Sequence, residues 1–236
     1  MLTERDAFTA KPVPQAQLHA RVISEGRRSG KPGLHSIAQT NDSTGLLYVP
    51  SGYSPEHSMP LIVMLHGARQ PAQRSLDLAR PMADEFGAMV FAPQATAQTW
   101  DFLAGGYGPD VLAIDTALSE IFPQYAVDAT RIAIGGFSDG ASYALSVGLK
   151  NGDLFNAIVA FSPGFADPYG LQGEPRVFVS HGTQDTILPI DRCSRVYVPL
   201  LRRLGYEVHY VEFDGPHTVP DEILRGAYAW FVGAAS

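Results

Sequence analysis

From Leu61 onward, short uninterrupted apolar runs alternate with longer stretches whose apolar residues recur at spacings of three and four. Strands buried on both faces read as continuous apolar runs, and the helices covering them carry a single apolar stripe. The alternation therefore predicts an α/β fold, a mostly parallel sheet with helices on both faces. The expected strands are 61–65, 88–92, 131–134, 157–161, 177–180 and 206–213. The expected crossover helices are 73–86, 109–122, 138–150, 190–204 and 221–232, the first with a kink or a late start at Pro81. Upstream, 18–23 and 45–49 predict two edge strands joined by the basic, glycine-bearing stretch 27–33, for a total of about eight. Residues 1–17, with Lys11-Pro12-Val13-Pro14, are expected to be extended, and 18–236 to form one domain, because no linker-like shift in composition divides them.

Length and charge narrow the picture. A chain of 236 residues buries roughly 70 to 75% of the surface it exposes unfolded, enough for a core without covalent staples. Its net charge of −7 repels phosphate polymers and anionic membranes, so neither nucleic acid nor membrane is an expected partner. A single cysteine, Cys193, excludes a cystine framework and a thiolate zinc site, and reads as a small core residue. Glu4, Arg5 and Asp6 stand where a secretory signal would be apolar, and no apolar stretch reaches 18 residues, so a cytoplasmic location is expected. Arg27, Arg28 and Lys31 then read as a solvated loop, and the sequon Asn41-Asp42-Ser43 as incidental.

Chemistry enters after the strand at 131–134, where Gly136, Ser138 and Gly140 complete G-x-S-x-G ahead of a helix. A nucleophile elbow needs a turn so tight that the serine takes strained backbone angles and the flanking glycines let the crossing backbones approach. A dinucleotide loop would need glycine where Phe137 stands, and no phosphate-binding G-x-x-x-x-G-K-[ST] occurs.

A serine hydroxyl needs a base, and the chain has seven histidines. His19, His35 and His57 precede the sheet proper and read as solvated, His209 lies inside a strand, and His66 and His181 each follow a strand directly and shape a loop. His217 sits in the loop after the last strand, at the edge where doubly wound sheets place their sites. Asp185, in the loop after the preceding strand, is the carboxylate expected to hold it, ahead of Asp167 and Asp191. The order Ser138, Asp185, His217 is that of α/β-hydrolases. The backbone N–H groups of Ala68, in the loop after Leu65-His66-Gly67, and of Asp139 are the expected oxyanion donors, with Arg69 the alternative to Ala68.

These motifs, together with Leu47-Tyr48-Val49-Pro50, Thr99-Trp100-Asp101, Ala160-Phe161-Ser162-Pro163-Gly164 and Gly215-Pro216-His217-Thr218-Val219-Pro220, resemble the phospholipase/carboxylesterase group of the α/β-hydrolases, with its dienelactone-hydrolase-like and polyhydroxybutyrate-depolymerase-like relatives. The resemblance implies hydrolysis of small or medium acyl esters through an acyl-serine, with no cofactor. Acyl thioesters and hydroxyalkanoate oligomers are the alternative substrates, and an inactive binding protein on the same fold the alternative role. Members of the group often carry glutamine after the nucleophile, where this chain has Asp139, and dienelactone hydrolases use cysteine where it has Ser138. Residues 162–175 are too short for a large cap domain, so an open site is expected. Trp100, Phe102 and Tyr107 are candidates for one wall of the substrate cleft and Phe165 and Tyr169 for the other.

Overall fold

A computed structural model describes residues 4–9, 14–23, 28–40 and 43–233. Eight strands form one sheet in the order β1-β2-β4-β3-β5-β6-β7-β8. They are β1 (Gly33–Ala38), β2 (Thr44–Val49), β3 (Met59–Leu65), β4 (Met89–Ala92), β5 (Val127–Phe137), β6 (Ala157–Phe161), β7 (Arg176–Gly182) and β8 (Val208–Phe213). β2 pairs antiparallel with both β1 and β4, and every pair from β4 to β8 is parallel. The helices are α1 (Glu4–Thr9), α2 (Ala72–Phe86), α3 (Pro109–Gln124), α4 (Asp139–Lys150), α5 (Ser194–Arg203) and α6 (Asp221–Val232).

Successive strand side chains face opposite ways, so each central strand feeds two cores. Leu61, Val63 and Leu65 of β3 pack with α3, α4 and α5, whereas Ile62 and Met64 pack with α2 and α6. This double burial explains why the central strands are legible as apolar runs. Only residues 162–175 separate β6 from β7, and among the described residues no large cap stands over that edge.

Several sequence expectations need correction. Residues 18–23 form no strand. Leu18 and Ala20 are buried in alternation with exposed His19 and Arg21, as a strand would bury them, but their backbone is satisfied by side chains. The Leu18 N–H donates to Asn151 Oδ1 at 2.8 Å, and those of His19 and Ala20 donate to Asp115 Oδ1 at 2.7 and 2.8 Å. The partner of β2 is instead β1, an edge strand that buries little besides Ile37 and so lacks an apolar signal. The N-terminal segment is not wholly extended: α1 is helical, and Arg5 fastens it by donating to the carbonyls of Leu204 at 3.0 Å and Gly173 at 2.6 Å. Helix α2 has no late start and runs from Ala72 through Pro81 to Phe86. Pro81 is solvent-exposed, so water can bond the carbonyl it leaves unpaired. The helix expected over 190–204 divides at Cys193 into a 3-10 turn, Ile190–Arg192, and α5. Lys11, Pro12, Val13, Arg27, Asn41 and Asp42, on which other readings fall, lie outside the described residues.

Asn151, buried at the end of α4, also donates through Nδ2 to the carbonyls of Ala16 at 2.7 Å and Val147 at 2.8 Å. Replacing it with alanine strands the Leu18 N–H and the Ala16 carbonyl. Asn151→Ala should lower unfolding free energy by about 2 to 4 kcal/mol, read as a shift in the urea midpoint at constant slope.

Candidate active site

At the carboxyl end of β5 the chain turns into α4 through Ser138, whose backbone is left-handed, φ 59° and ψ −122°. The turn is tight enough that a Cβ on Gly136 would lie 2.5 Å from the Gly140 carbonyl carbon, and one on Gly140 would strike the carbonyl oxygens of Leu65 and His66. Both glycines of the motif are therefore required by backbone contact. The Ser138 N–H donates to the Phe161 carbonyl at 3.0 Å, tying the turn to β6. The Ser142 hydroxyl donates to the Ser138 carbonyl at 3.1 Å and accepts the Gly164 N–H at 2.8 Å, fixing the loop after β6 as well.

Two further loops bring the remaining groups to this turn. Ser138 Oγ lies 2.9 Å from His217 Nε2, and His217 Nδ1 lies 2.6 Å from Asp185 Oδ2. Asp185 Oδ1 accepts the N–H groups of Ile187 at 2.9 Å and Leu188 at 2.8 Å, so its carboxylate is held at both oxygens. The loops carrying Asp185 and His217 are joined to each other: the Thr183 N–H donates to the Phe213 carbonyl at 2.8 Å and the Gln184 N–H to the Gly215 carbonyl at 2.9 Å. His217 packs on the Phe137 ring, 4.6 Å between centroids, and keeps 14% of its side chain exposed, while Asp185 is sealed. The competing carboxylates are engaged elsewhere, Asp167 with Lys150 and Asp191 with Arg195. Exposed His209 stacks on Phe178, away from Ser138.

His181, read from sequence only as a loop former, touches the same carboxylate. Its Nε2 lies 2.8 Å from the Leu188 carbonyl and 3.2 Å from Asp185 Oδ2, and its Nδ1 lies 2.6 Å from Ser194 Oγ. Those neighbours fit a neutral ring that donates from Nε2 and accepts the Ser194 proton. Burial pushes its pKa below the usual histidine value, which keeps it neutral. His66 is likewise neutral: burial lowers its pKa, Nδ1 faces the Gly67 carbonyl at 2.9 Å, and Nε2 accepts the Ala95 N–H at 3.0 Å.

The loop after β3 passes directly over Ser138, for a Cβ on Gly67 would lie 3.6 Å from the Ser138 Cβ. The Arg69 N–H is consumed by the Gln98 carbonyl at 2.6 Å, which removes it as an oxyanion donor. The N–H groups of Ala68 and, at the first turn of α4, Asp139 make no backbone hydrogen bond among the described residues. The segment 98–100 braces both. Thr99 Oγ1 donates to Asp139 Oδ2 at 2.8 Å, and Trp100 Nε1 donates to the His66 carbonyl at 2.9 Å. Nothing in the spacing of Thr99 and Asp139 signals that bond.

The aromatic cleft expected from sequence is partly overturned. Trp100 has no exposed surface and stacks on Tyr143, 5.2 Å between centroids, so it is a core residue and lines no cleft. Its indole is buried because the N–H has a carbonyl to bond. The rings of Phe102, Tyr107 and Phe165 pack on one another at 4.7 and 5.5 Å rather than facing across a gap. Tyr107 donates its hydroxyl to Asp167 at 2.9 Å. Tyr169 is 60% exposed and leans on Phe8 of α1. The cavity that reaches His217 is walled instead by the β3 loop, α2 and the 217–219 loop, and has a volume of about 250 Å³.

A strained serine at a strand-to-helix turn, backed by histidine and aspartate from the next two loops of a parallel sheet, defines the class as α/β-hydrolase. The phospholipase/carboxylesterase family model matches residues 112–230 and the esterase PHB depolymerase model residues 44–170, and the chain belongs to the phospholipase/carboxylesterase family. It is 27% identical over 157 residues to a poly(3-hydroxybutyrate) depolymerase of Ralstonia pickettii, covering 54% of this chain and 32% of that one. It is 26% identical over 165 residues to feruloyl esterase C of Emericella nidulans, covering 66% and 60%. The chain thus spans less than two thirds of either relative. Among solved structures, an S-formylglutathione hydrolase from Staphylococcus aureus superposes with a TM-score of 0.69 at 18% identity, covering 86% of this chain and 98% of that one, a likeness of fold. No helix among the described residues is long and apolar enough to cross a membrane.

His66 and His181 give a stability prediction with a definite sign. Unfolded, each takes a proton below its ordinary value of 6.5; folded, burial delays that proton. The unfolded chain then binds more protons, and stability falls as pH drops below about 6.5. The thermal midpoint should decline between pH 7 and about 5.5, ahead of most carboxylate titration, and the double variant His66→Gln/His181→Gln should show a flatter slope.

Proposed function

We propose that this protein is a serine carboxylesterase that hydrolyses small to medium acyl esters through an acyl-serine intermediate, without a cofactor. The observation that carries this reading is the continuous hydrogen-bonded array Ser138 Oγ, His217, Asp185, at 2.9 and 2.6 Å. In the first half-reaction His217 Nε2 takes the Ser138 proton as Oγ attacks the ester carbonyl. The N–H groups of Ala68 and Asp139 receive the oxyanion. Collapse of the tetrahedral species breaks the ester C–O bond, and the proton on His217 passes to the leaving alcohol oxygen. Water then attacks the acyl-serine by the same route, giving the carboxylic acid and free Ser138.

The supporting residues have separate tasks. Asp185 holds His217 in the tautomer whose Nε2 faces Ser138 and stabilises the imidazolium. His181 is a positioning residue: as a fixed neutral donor it steadies Asp185 without competing for the Ser138 proton. Thr99 orients Asp139, and Trp100 anchors the carbonyl side of the β3 loop, so the segment 98–100 holds the two oxyanion donors in one arrangement. Phe102 and Phe165, half-buried and 5.5 Å apart, serve as an apolar rim. The match of residues 44–170 to the depolymerase model favours hydroxyalkanoate oligomers as a second substrate class. Turnover of simple esters against such oligomers and against thioesters of the same acyl group separates these.

A fluorophosphonate should add once per chain, at Ser138, by intact mass and peptide mapping, and Ser138→Ala should abolish both the adduct and turnover. An unlabelled chain, or an adduct on another residue, overturns the assignment. Asp185→Asn should reduce kcat by about 10³ to 10⁴ while the fold persists. Thr99→Val should lower kcat by roughly tenfold or less with little change in KM, the sign of a donor misplaced in the transition state.

A further inference from the structure

The space beside His217 carries a charge pattern that the reaction itself does not need. The cavity reaching His217 has Arg74 in its wall, with Leu65, Leu78, Phe137 and Val219 giving it apolar surface. A second, more open hollow of about 740 Å³ shares Gln70 with it and is walled by Arg69, Gln94 and Gln98. Neither lining includes an aspartate or a glutamate, in a chain with 24 acidic against 17 basic side chains. Five other arginines, Arg5, Arg21, Arg131, Arg195 and Arg225, each pair with a carboxylate. The guanidinium groups of Arg69 and Arg74 have no hydrogen-bond, ion-pair or aromatic partner among the described residues. Arg69 is also held at φ 59°, a left-handed backbone that costs a side-chain-bearing residue energy.

We propose that Arg69 and Arg74 form a carboxylate-binding subsite for the alcohol half of the ester, so that the preferred substrates are esters of hydroxy acids that keep a free carboxylate. This rests on the esterase reading above. The assignment to the alcohol half follows from the chemistry. The leaving oxygen must lie within hydrogen-bond reach of His217 Nε2 to receive its proton, so the group attached to that oxygen enters the space that His217 walls. There the hydrocarbon of a hydroxy acid meets the apolar side chains, and its carboxylate, a few bonds further on, meets Arg74 in the same wall and, past the shared Gln70, Arg69 in the adjoining hollow. Arginine suits that task because its planar fork matches a carboxylate. Asp139, the carboxylate closest in sequence to Ser138, is tied to Thr99, so it is held by a hydroxyl donor and not by either arginine.

The test compares kcat/KM for 4-acetoxybutanoate with that for its neutral isostere 4-acetoxybutanamide, and for monomethyl succinate, whose carboxylate is on the acyl half, with methyl succinamate. The expected result is a preference of roughly tenfold for 4-acetoxybutanoate over its amide, expressed mainly in KM, and none within the succinate pair. The preference should shrink in about 0.5 M salt, because both arginines are exposed. It should fall to about one in Arg69→Gln/Arg74→Gln, with fluorophosphonate labelling of Ser138 reporting that the variant is folded. Wild-type turnover of both members of each pair at equal rates overturns the subsite and leaves the esterase reading standing. A preference confined to the succinate pair, or one that survives the double substitution, also overturns it. Failure to hydrolyse any ester, with Ser138 unlabelled, overturns the esterase reading and the subsite with it.

Discussion

The backbone crossing between β5 and α4 is the constraint on which the rest of the site depends. Ser138 can stand above the sheet only because the chain reverses through a left-handed residue there. That reversal is possible only where Gly136 and Gly140 let peptide groups approach without side chains between them. A non-glycine residue in such a conformation costs of order 1 to 3 kcal/mol, so the surroundings must over-determine it. They do so from three sides. β6 accepts the Ser138 N–H through Phe161, Ser142 bonds back to the Ser138 carbonyl, and the β3 loop closes over the top at Gly67. The strain is shared with the flanking loops, where Arg69 and Ser162 also take positive φ, 59° and 50°.

The same logic extends to the loop 93–109, which carries the wall candidates Trp100, Phe102 and Tyr107. Two carboxylates, Asp101 and Asp110, cross-link it. Asp101 accepts from Gly108 N–H, Asp110 N–H and the Tyr143 hydroxyl, while buried Asp110 accepts from the N–H groups of Thr96 and Asp101. Burial raises the Asp110 pKa, and its two N–H donors counter that by favouring the charged form. A loop so cross-linked behaves as a strut. It carries the Gln98 carbonyl, the Thr99 hydroxyl and the Trp100 indole to fixed points on the β3 loop and α4.

What the sequence makes legible follows burial. The five strands buried on both faces, β3 to β7, and the helices with a clear apolar stripe are readable because their patterns serve a local rule, the alternation of side chains across a packed layer. Ser138, Asp185 and His217 are readable because each follows a strand in an order that the parallel topology fixes. The edge hairpin is not: β1 exposes most of its side chains and carries no run, whereas 18–23 has a strand's alternation yet takes its hydrogen bonds from Asn151 and Asp115. Backbone partners supplied by side chains more than ninety residues away leave no local trace. Trp100 fails for a related reason. An aromatic residue among glycines reads the same whether it faces solvent or a buried carbonyl, and only the fold reveals that the His66 carbonyl awaits the indole. The contacts of His181 with Asp185 and of Thr99 with Asp139 are likewise products of tertiary assembly.

The shortness of the connection between β6 and β7 has a kinetic corollary. With only residues 162–175 at that edge, no large cap stands over half-buried Ser138 among the described residues. The incoming nucleophile that frees it would then be drawn from bulk solvent, where water outnumbers every other hydroxyl, and transfer to a second alcohol would be outcompeted by mass action. A site must exclude water to act as a transferase; one without a cap is biased by its architecture toward cleavage.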